Sequence, residues 1–161
     1  MQILIVYDSA YGNTGKIALA MAGSVSSPYE ARAMRVGDTE MGRVASSNII
    51  ILGCPTQGGR PTQNMRDFIS KIPAEGLKGK RVAAFDTRFE EKEQSFALRL
   101  LMKTIGYAAP EMMKELVARG GVGVVEPEGF IVNGKEGPLK EGELEQATNW
   151  ARKIIDSCAS Q

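Results

Sequence analysis

Apolar residues gather in five short runs, at residues 3–7, 29–36, 48–53, 81–85 and 122–125, separated by longer amphipathic stretches. Most of these runs are near-continuous Val, Ile, Leu and Ala, the signature of strands covered on both faces in a parallel sheet. The run 29–36 instead alternates Tyr29, Ala31 and Ala33 with Glu30, Arg32 and Arg35, and it reads as an edge strand with one wet face. Between the runs, Ile17, Met21 and Val25 recur at helical spacing, as do Met65, Phe68, Ile69 and Ile72. Asp38 is placed to N-cap a short helix carrying Met41, Val44 and Ala45. Leu98, Leu101 and Ile105 form another stripe that Gly106 ends, and Pro110 suits the first turn of a helix with Met112, Met113, Leu116 and Val117. A last helix carries Leu144, Ala147, Ala151, Ile154, Ile155 and Cys158, with Glu141 and Glu143 at its positive pole. Residues 126–142 break the rhythm with Pro127, Gly129, Gly137, Pro138 and Gly142. Their Asn133-Gly134 pair is a two-residue turn signal, which predicts a small hairpin or excursion before the last helix. The alternation of strand and helix predicts a single doubly wound α/β domain over residues 1–161, with a five-stranded parallel sheet and helices on both faces.

Composition narrows the chemistry. The chain has 161 residues, no histidine and 2 cysteines, so histidine-dependent catalysis, histidine-ligated metal and a Cys/His structural zinc site are excluded. Its 20 Lys plus Arg against 19 Asp plus Glu give a net charge of +1, which predicts neither a nucleic acid nor an anionic membrane as partner. No apolar run is long enough to span a bilayer. No basic region precedes the first run, so the N-terminus does not read as a signal peptide. A cytoplasmic location is expected, and the sequence carries no reading of oligomeric state.

In a doubly wound sheet, ligands bind beyond the carboxyl ends of the strands at the point where the strand order reverses. The loop after the first strand reads Asp8, Ser9, Ala10, Tyr11, Gly12, Asn13, Thr14 and leads into a helix. Hydroxyls at Ser9 and Thr14, a close-approaching Gly12 and the free amides of a helix start suit a phosphate monoester. The absence of a Walker lysine argues against a nucleoside triphosphate. A capped strand-to-helix turn would look similar. The loop after the third strand runs Gly53, Cys54, Pro55, Thr56, Gln57, Gly58, Gly59, Arg60, Pro61, Thr62, and the fourth strand leads into Asp86, Thr87, Arg88 and Phe89.

These loops together resemble the flavodoxin family across nearly the whole chain. The first matches the family's phosphate cradle at Ser9, Tyr11, Gly12, Asn13 and Thr14, and Gly53 to Thr56 match its Gly-Ser/Cys-Pro/Ser-Thr sequence. Ala83 to Phe85 follow its third-loop pattern. The resemblance implies a flavodoxin-like sheet of order 2-1-3-4-5, FMN as cofactor, and one-electron transfer between redox protein partners. It implies cofactor contacts from Ser9, Ala10, Tyr11, Gly12, Asn13, Thr14, Pro55, Thr56, Gln57, Gly58, Gly59, Thr87, Arg88 and Phe89, with no catalytic or metal-binding residue. A backbone flip at Gly58 would offer a carbonyl to flavin N5, and a guanidinium at Arg88 or Arg60 would favour the anionic reduced ring. Tyr11 replaces a cradle Thr, as in flavodoxin-like NAD(P)H:quinone oxidoreductases. Gln57 stands where many flavodoxins stack Trp, so looser stacking and a less buried ring are expected.

Rival readings fit parts of the same pattern, one of them a ligand-binding module with no redox role, which the missing ring-stacking aromatics support. Cys54 and Arg60 fit the Cys-x5-Arg spacing of tyrosine phosphatases, with Asp86 as acid. Pro55 removes an amide that such a loop needs, and Pro61 stands where that family has Ser or Thr. A receiver domain is excluded by Cys54 and Glu126 at its key strand ends. A reductase remains open, because no Gly-x-Gly-x-x-Gly motif is required for transient nicotinamide binding over a flavin. The near-neutral charge is itself a departure from a usually acidic family, and it predicts electron-transfer rates that vary weakly with salt.

Overall fold

The computed structural model describes residues 1–90 and 95–160, with the side chains of all of these except 102–105. Strands β1 (Gln2–Tyr7), β2 (Glu30–Arg35), β3 (Ile49–Pro55), β4 (Arg81–Phe89) and β5 (Val122–Gly123) lie in parallel, in the order β2-β1-β3-β4-β5. A further strand, β6 (Glu128–Val132), also pairs in parallel with β4. Because successive side chains of a strand point to opposite faces, each apolar run supplies two cores. Ile3, Ile5, Ile49 and Ile51 meet α1 (Asn13–Gly23) and α6 (Glu143–Ala159). Leu4, Val6, Ile50 and Leu52 meet α2 (Met41–Ser46), α3 (Gln63–Ser70) and α5 (Ala108–Ala118). The continuous apolar runs thus mark doubly covered strands, and the alternating β2 lies at the edge.

Several local expectations are corrected. The small hairpin or excursion expected within 126–142 is there in part, but its first arm, within Glu128–Val132, is also a strand of the main sheet. The reason is Phe130, which is fully buried and packs edge-to-face on Phe85 (centroids 5.8 Å apart) and Trp150 (6.2 Å). Burying an aromatic ring outweighs the local turn preference. The chain does fold back, with Val132 bridged antiparallel to Leu139, but Asn133 N–H donates to the Pro138 carbonyl at 2.8 Å. The turn is therefore the wider loop 133–138 and not Asn133-Gly134 alone. The fifth sheet position is consequently shared by β5 and β6, and β4 runs on through Phe89 to pair with the latter.

Asp38 does not cap a helix. It ends a 3-10 turn (Val36–Asp38) that Thr39 closes by donating its hydroxyl to the Arg35 carbonyl at 2.7 Å, and α2 begins after Glu40. Val25 and Ile72 lie just past α1 and α3 but pack into the two cores. Gly106 (φ 87) ends α4 (Phe96–Ile105) as expected. Its stripe does not enter the core: Leu98 and Leu101 are 40% and 51% exposed and face a cavity, while the Ile105 side chain lies outside the described residues. Glu143 is buried in the first turn of α6, where its carboxylate accepts from Ile131 N–H at 2.8 Å and ties that helix to β6. No helix among the described residues is long and apolar enough to cross a membrane.

If β6 is an integral strand, Phe130→Ala removes a fully packed ring and should cost about 3–5 kcal/mol in equilibrium denaturation. A cost under about 0.5 kcal/mol, normal for an exposed side chain, would contradict the assignment.

Candidate functional site

Sheet register assembles the site. Tyr7 pairs with Gly53 and Gly53 with Phe85, so β1, β3 and β4 reach the same edge abreast. Gly53 is needed for this: a Cβ there would stand 2.0 Å from the Phe85 ring. The strand order reverses between β1 and β3, which opens a crevice at their carboxyl ends.

The first loop is drawn tight by its own polar groups. Asp8 N–H donates to the Gly53 carbonyl at 3.0 Å, and the Asp8 carboxylate accepts from Ser9 N–H (3.0 Å) and from the Thr62 hydroxyl (2.6 Å). Gly15 N–H donates to the buried Ser9 hydroxyl at 3.3 Å. Gly12 takes φ 91 at the start of α1, a left-handed conformation that favours glycine. Ala10, Tyr11, Gly12, Asn13 and Thr14 keep backbone N–H groups with no protein acceptor among the described residues. Thr14 and Thr87 share a hydrogen bond between hydroxyls at 2.8 Å, which joins this loop to β4.

In the second loop, Gln57 and Arg60 exchange backbone hydrogen bonds (2.9 and 3.1 Å) around Gly58 (φ 57) and Gly59 (φ 77). Positive φ at both central residues is the turn that only such residues form without strain. Nothing stands within 4 Å of a Cβ position at Gly58, so the adjoining peptide has space to reorient. Thr56 N–H donates to the Thr87 carbonyl (3.0 Å), and the Thr56 hydroxyl accepts from Ala108 N–H (3.0 Å). The second loop is thus fastened to β4 and to α5.

The segment expected as a third loop is strand. Thr87, Arg88 and Phe89 lie on β4, opposite Phe130, Ile131 and Val132 of β6. Arg88 is neither a solvated nor a free charge. Its Nε and Nη2 grip the fully buried Asp86 at 2.6 and 2.8 Å, and its guanidinium lies 3.6 Å from the centroid of the Tyr107 ring. Asp86 also accepts from Ala109 N–H at 2.8 Å in the first turn of α5. Arg60 is exposed and sits 3.7 Å from Glu111.

Of the fourteen residues expected to contact the cofactor, all but Gly12 line one cavity of about 770 Å³, whereas Arg60, Cys54 and Asp86 do not line it. That volume lies in the range of small-molecule and cofactor sites, about 300–1,000 Å³. The cavity has further lining that sequence reasoning missed: Glu90, Leu98, Leu101, Gly106, Tyr107, Val132, Asn133, Gly134 and Lys135. Recognition of 128–132 as a parallel strand would have found the last four, since its carboxyl end must lie on the same edge. A phosphate monoester suits the free amides beside the Ser9 and Thr14 hydroxyls, and a flat ring suits the walls offered by Tyr11, Phe89, Tyr107, Leu98 and Leu101.

Cys54 points the other way. It is buried in the core below the cavity with its sulfur 3.7 Å from that of Met112, and burial pushes its thiol up to about 12. Such a thiol supplies no thiolate for attack on phosphorus, which removes the basis of the phosphatase reading.

An open, doubly wound parallel sheet of order 2-1-3-4-5, with an amide-lined cradle and a cavity at its switch point, places the chain in the flavodoxin-like class of α/β folds. The chain belongs to the flavodoxin family, whose family model matches residues 5–99. Homologues in that family bind FMN. The flavodoxin of Megasphaera elsdenii is 34% identical over 84 residues, 50% of this chain and 61% of that protein, so the match spans about three-fifths of this relative. Among solved structures, oxidised flavodoxin 2 of Bacillus cereus is 25% identical and superposes with TM-score 0.74 over 97% of this chain and 99% of its own. Oxidised flavodoxin 1 of the same organism gives 0.75 over 97% and 98% at 18% identity, which shows a common fold.

Cys54 should resist alkylation in the folded protein at about pH 8, because a thiol with so high a pKa is almost wholly protonated there. Peptide mass spectrometry should find it modified only after unfolding. Rapid labelling of Cys54 in the native state would contradict its placement.

Proposed function

We propose that this chain binds FMN in the strand-edge cavity and carries single electrons between redox proteins. What supports the reading most is the convergence of nearly every cradle and ring-loop residue on that one cavity. In this reading the amides of residues 10–14, with the hydroxyls of Ser9 and Thr14, hold the phosphate. Pro55 to Gly59 and Thr87 to Phe89 flank the ring together with Tyr11. FMN would supply the redox chemistry, and the protein tunes it. Gly58 can turn its carbonyl or its neighbour's N–H toward the ring at little steric cost. Arg88 sets a positive charge on the cavity wall that Asp86 largely balances. Phe89 and Tyr11 are 41% and 49% exposed at the cavity, which suits a ring edge open to partners. Two free, buried thiols suit a reducing compartment, and we take the carrier to be cytoplasmic.

Purified protein should be yellow or take up added FMN, and should release flavin absorbance on denaturation. Colourless protein that ignores FMN would defeat the proposal. Stopped-flow mixing with NAD(P)H should leave the bound flavin oxidised, whereas rapid bleaching would favour a reductase. Electron transfer to a partner should vary weakly with ionic strength, given the net charge of +1.

Asp86→Asn keeps an acceptor for Ala109 N–H but leaves Arg88 uncompensated. It should raise the potential of full flavin reduction by a free energy on the order of 1 kcal/mol, the scale of a charge acting across a wet cavity. Arg88→Gln should shift the potential the opposite way, and potentials unchanged in both variants would remove Arg88 from the tuning.

A further inference from the structure

The cavity has a wall that neither the strand-end loops nor the family resemblance supplies. Past β6 the chain passes through residues 133–138, where Gly137 N–H donates to the Gly134 carbonyl at 3.1 Å and Asn133 N–H to that of Pro138 at 2.8 Å. This loop is fastened to the start of α1: the Asn13 side-chain amide donates to the Glu136 carbonyl at 3.1 Å. Gly137 lies against the same side chain with φ +104, and a Cβ there would stand 2.8 Å from both polar atoms of Asn13. Asn13 opens α1, so the contact sets the 133–138 loop beside the unpartnered amides of residues 10–14.

Asn133, Gly134 and Lys135 line the cavity. Among the described residues two cationic side chains line it, Arg88 and Lys135, and they differ in their surroundings. Arg88 is balanced by Asp86, whereas Lys135 has no carboxylate partner among the described residues. Lys140, a few residues on, is paired with Glu90 at 2.7 Å, so the free cation of this segment is the one at the cavity. The cradle's own donors are neutral amides and hydroxyls; the anionic Asp8 stands close behind it, and the Arg35 guanidinium is turned to the Ser9 carbonyl at 3.4 Å.

We propose that Lys135 is a phosphate-recognition residue: its ammonium neutralises the phosphate held at the start of α1 and makes the site prefer phosphorylated flavin to riboflavin. This rests on the FMN reading above. Coulomb attraction to a dianion is damped at so open a position, so the effect is a modest one on affinity. Anchoring of the loop through Asn13 and Gly137 lowers the ordering cost of presenting the lysine.

The test is titration of the flavin-free full chain with FMN and with riboflavin, followed by flavin fluorescence. Lys135→Gln should weaken FMN roughly fivefold while riboflavin affinity stays level. Lys135→Arg should restore FMN affinity. Lys71→Gln, which removes the same charge at the far end of α3, should change nothing. A second readout is pH: FMN affinity of the unaltered protein should fall between about pH 7.5 and 5.5 as the phosphate gains its proton near ~6, and fall less in Lys135→Gln. FMN affinity in Lys135→Gln within about twofold of the unaltered protein, or equal losses for FMN and riboflavin, would overturn the assignment while leaving FMN binding standing. If the unaltered chain bound neither flavin, the FMN reading would fall and the role of Lys135 with it.

Discussion

The register of three parallel strands carries the whole arrangement. With Tyr7, Gly53 and Phe85 abreast, β1, β3 and β4 deliver their following segments to one edge, and a shift of one residue in any of them would turn its core side chains to the wrong face. Gly53 holds this register by letting the Phe85 ring lie across it, and Phe85 in turn packs on Phe130 and Trp150. A single apolar cluster therefore fixes both the sheet and the mouth of the cavity above it.

Above that edge the segments are joined by few but specific polar contacts. Asp8 binds Thr62, Thr14 binds Thr87, Thr56 ties β4 to α5, and Asn13 reaches the loop after β6. Most of these side chains are spent on one another, so they shape the cavity and leave backbone N–H groups as its principal donors. Such a pre-formed set of dipoles binds an anion with little reorganisation. The paired charges follow the same logic: Asp86 fixes Arg88 against Tyr107 and starts α5, so one buried carboxylate positions a cavity wall and a helix.

Much of this was legible because it depends on local pattern. Continuous apolar runs marked doubly covered strands, and the polar residues from Ser9 to Thr14 marked a cradle. What escaped was set by contacts distant in sequence. Asn133-Gly134 has strong turn chemistry, yet Phe130 finds Phe85 and Trp150 and draws its segment into the sheet. Asp38 looks like a cap, but Thr39 closes a turn first. Thr87 to Phe89 read as loop because β6, which pairs with them, was not recognised. Tyr107 was passed over as an aromatic of the site because it enters the cavity from the end of a helix connection and not from a strand-end loop.

The central claim is that the start of α1 and the glycine turn at residues 58 and 59 close on one flavin phosphate and its ring. Backbone amide resonances followed by NMR during FMN titration test it most directly. The account predicts that Ala10 to Thr14 and Gln57 to Gly59 shift together and saturate at one flavin per chain, while α3 and β2 stay still. Saturable shifts that leave residues 10–14 unmoved, or no shifts at all, would contradict it.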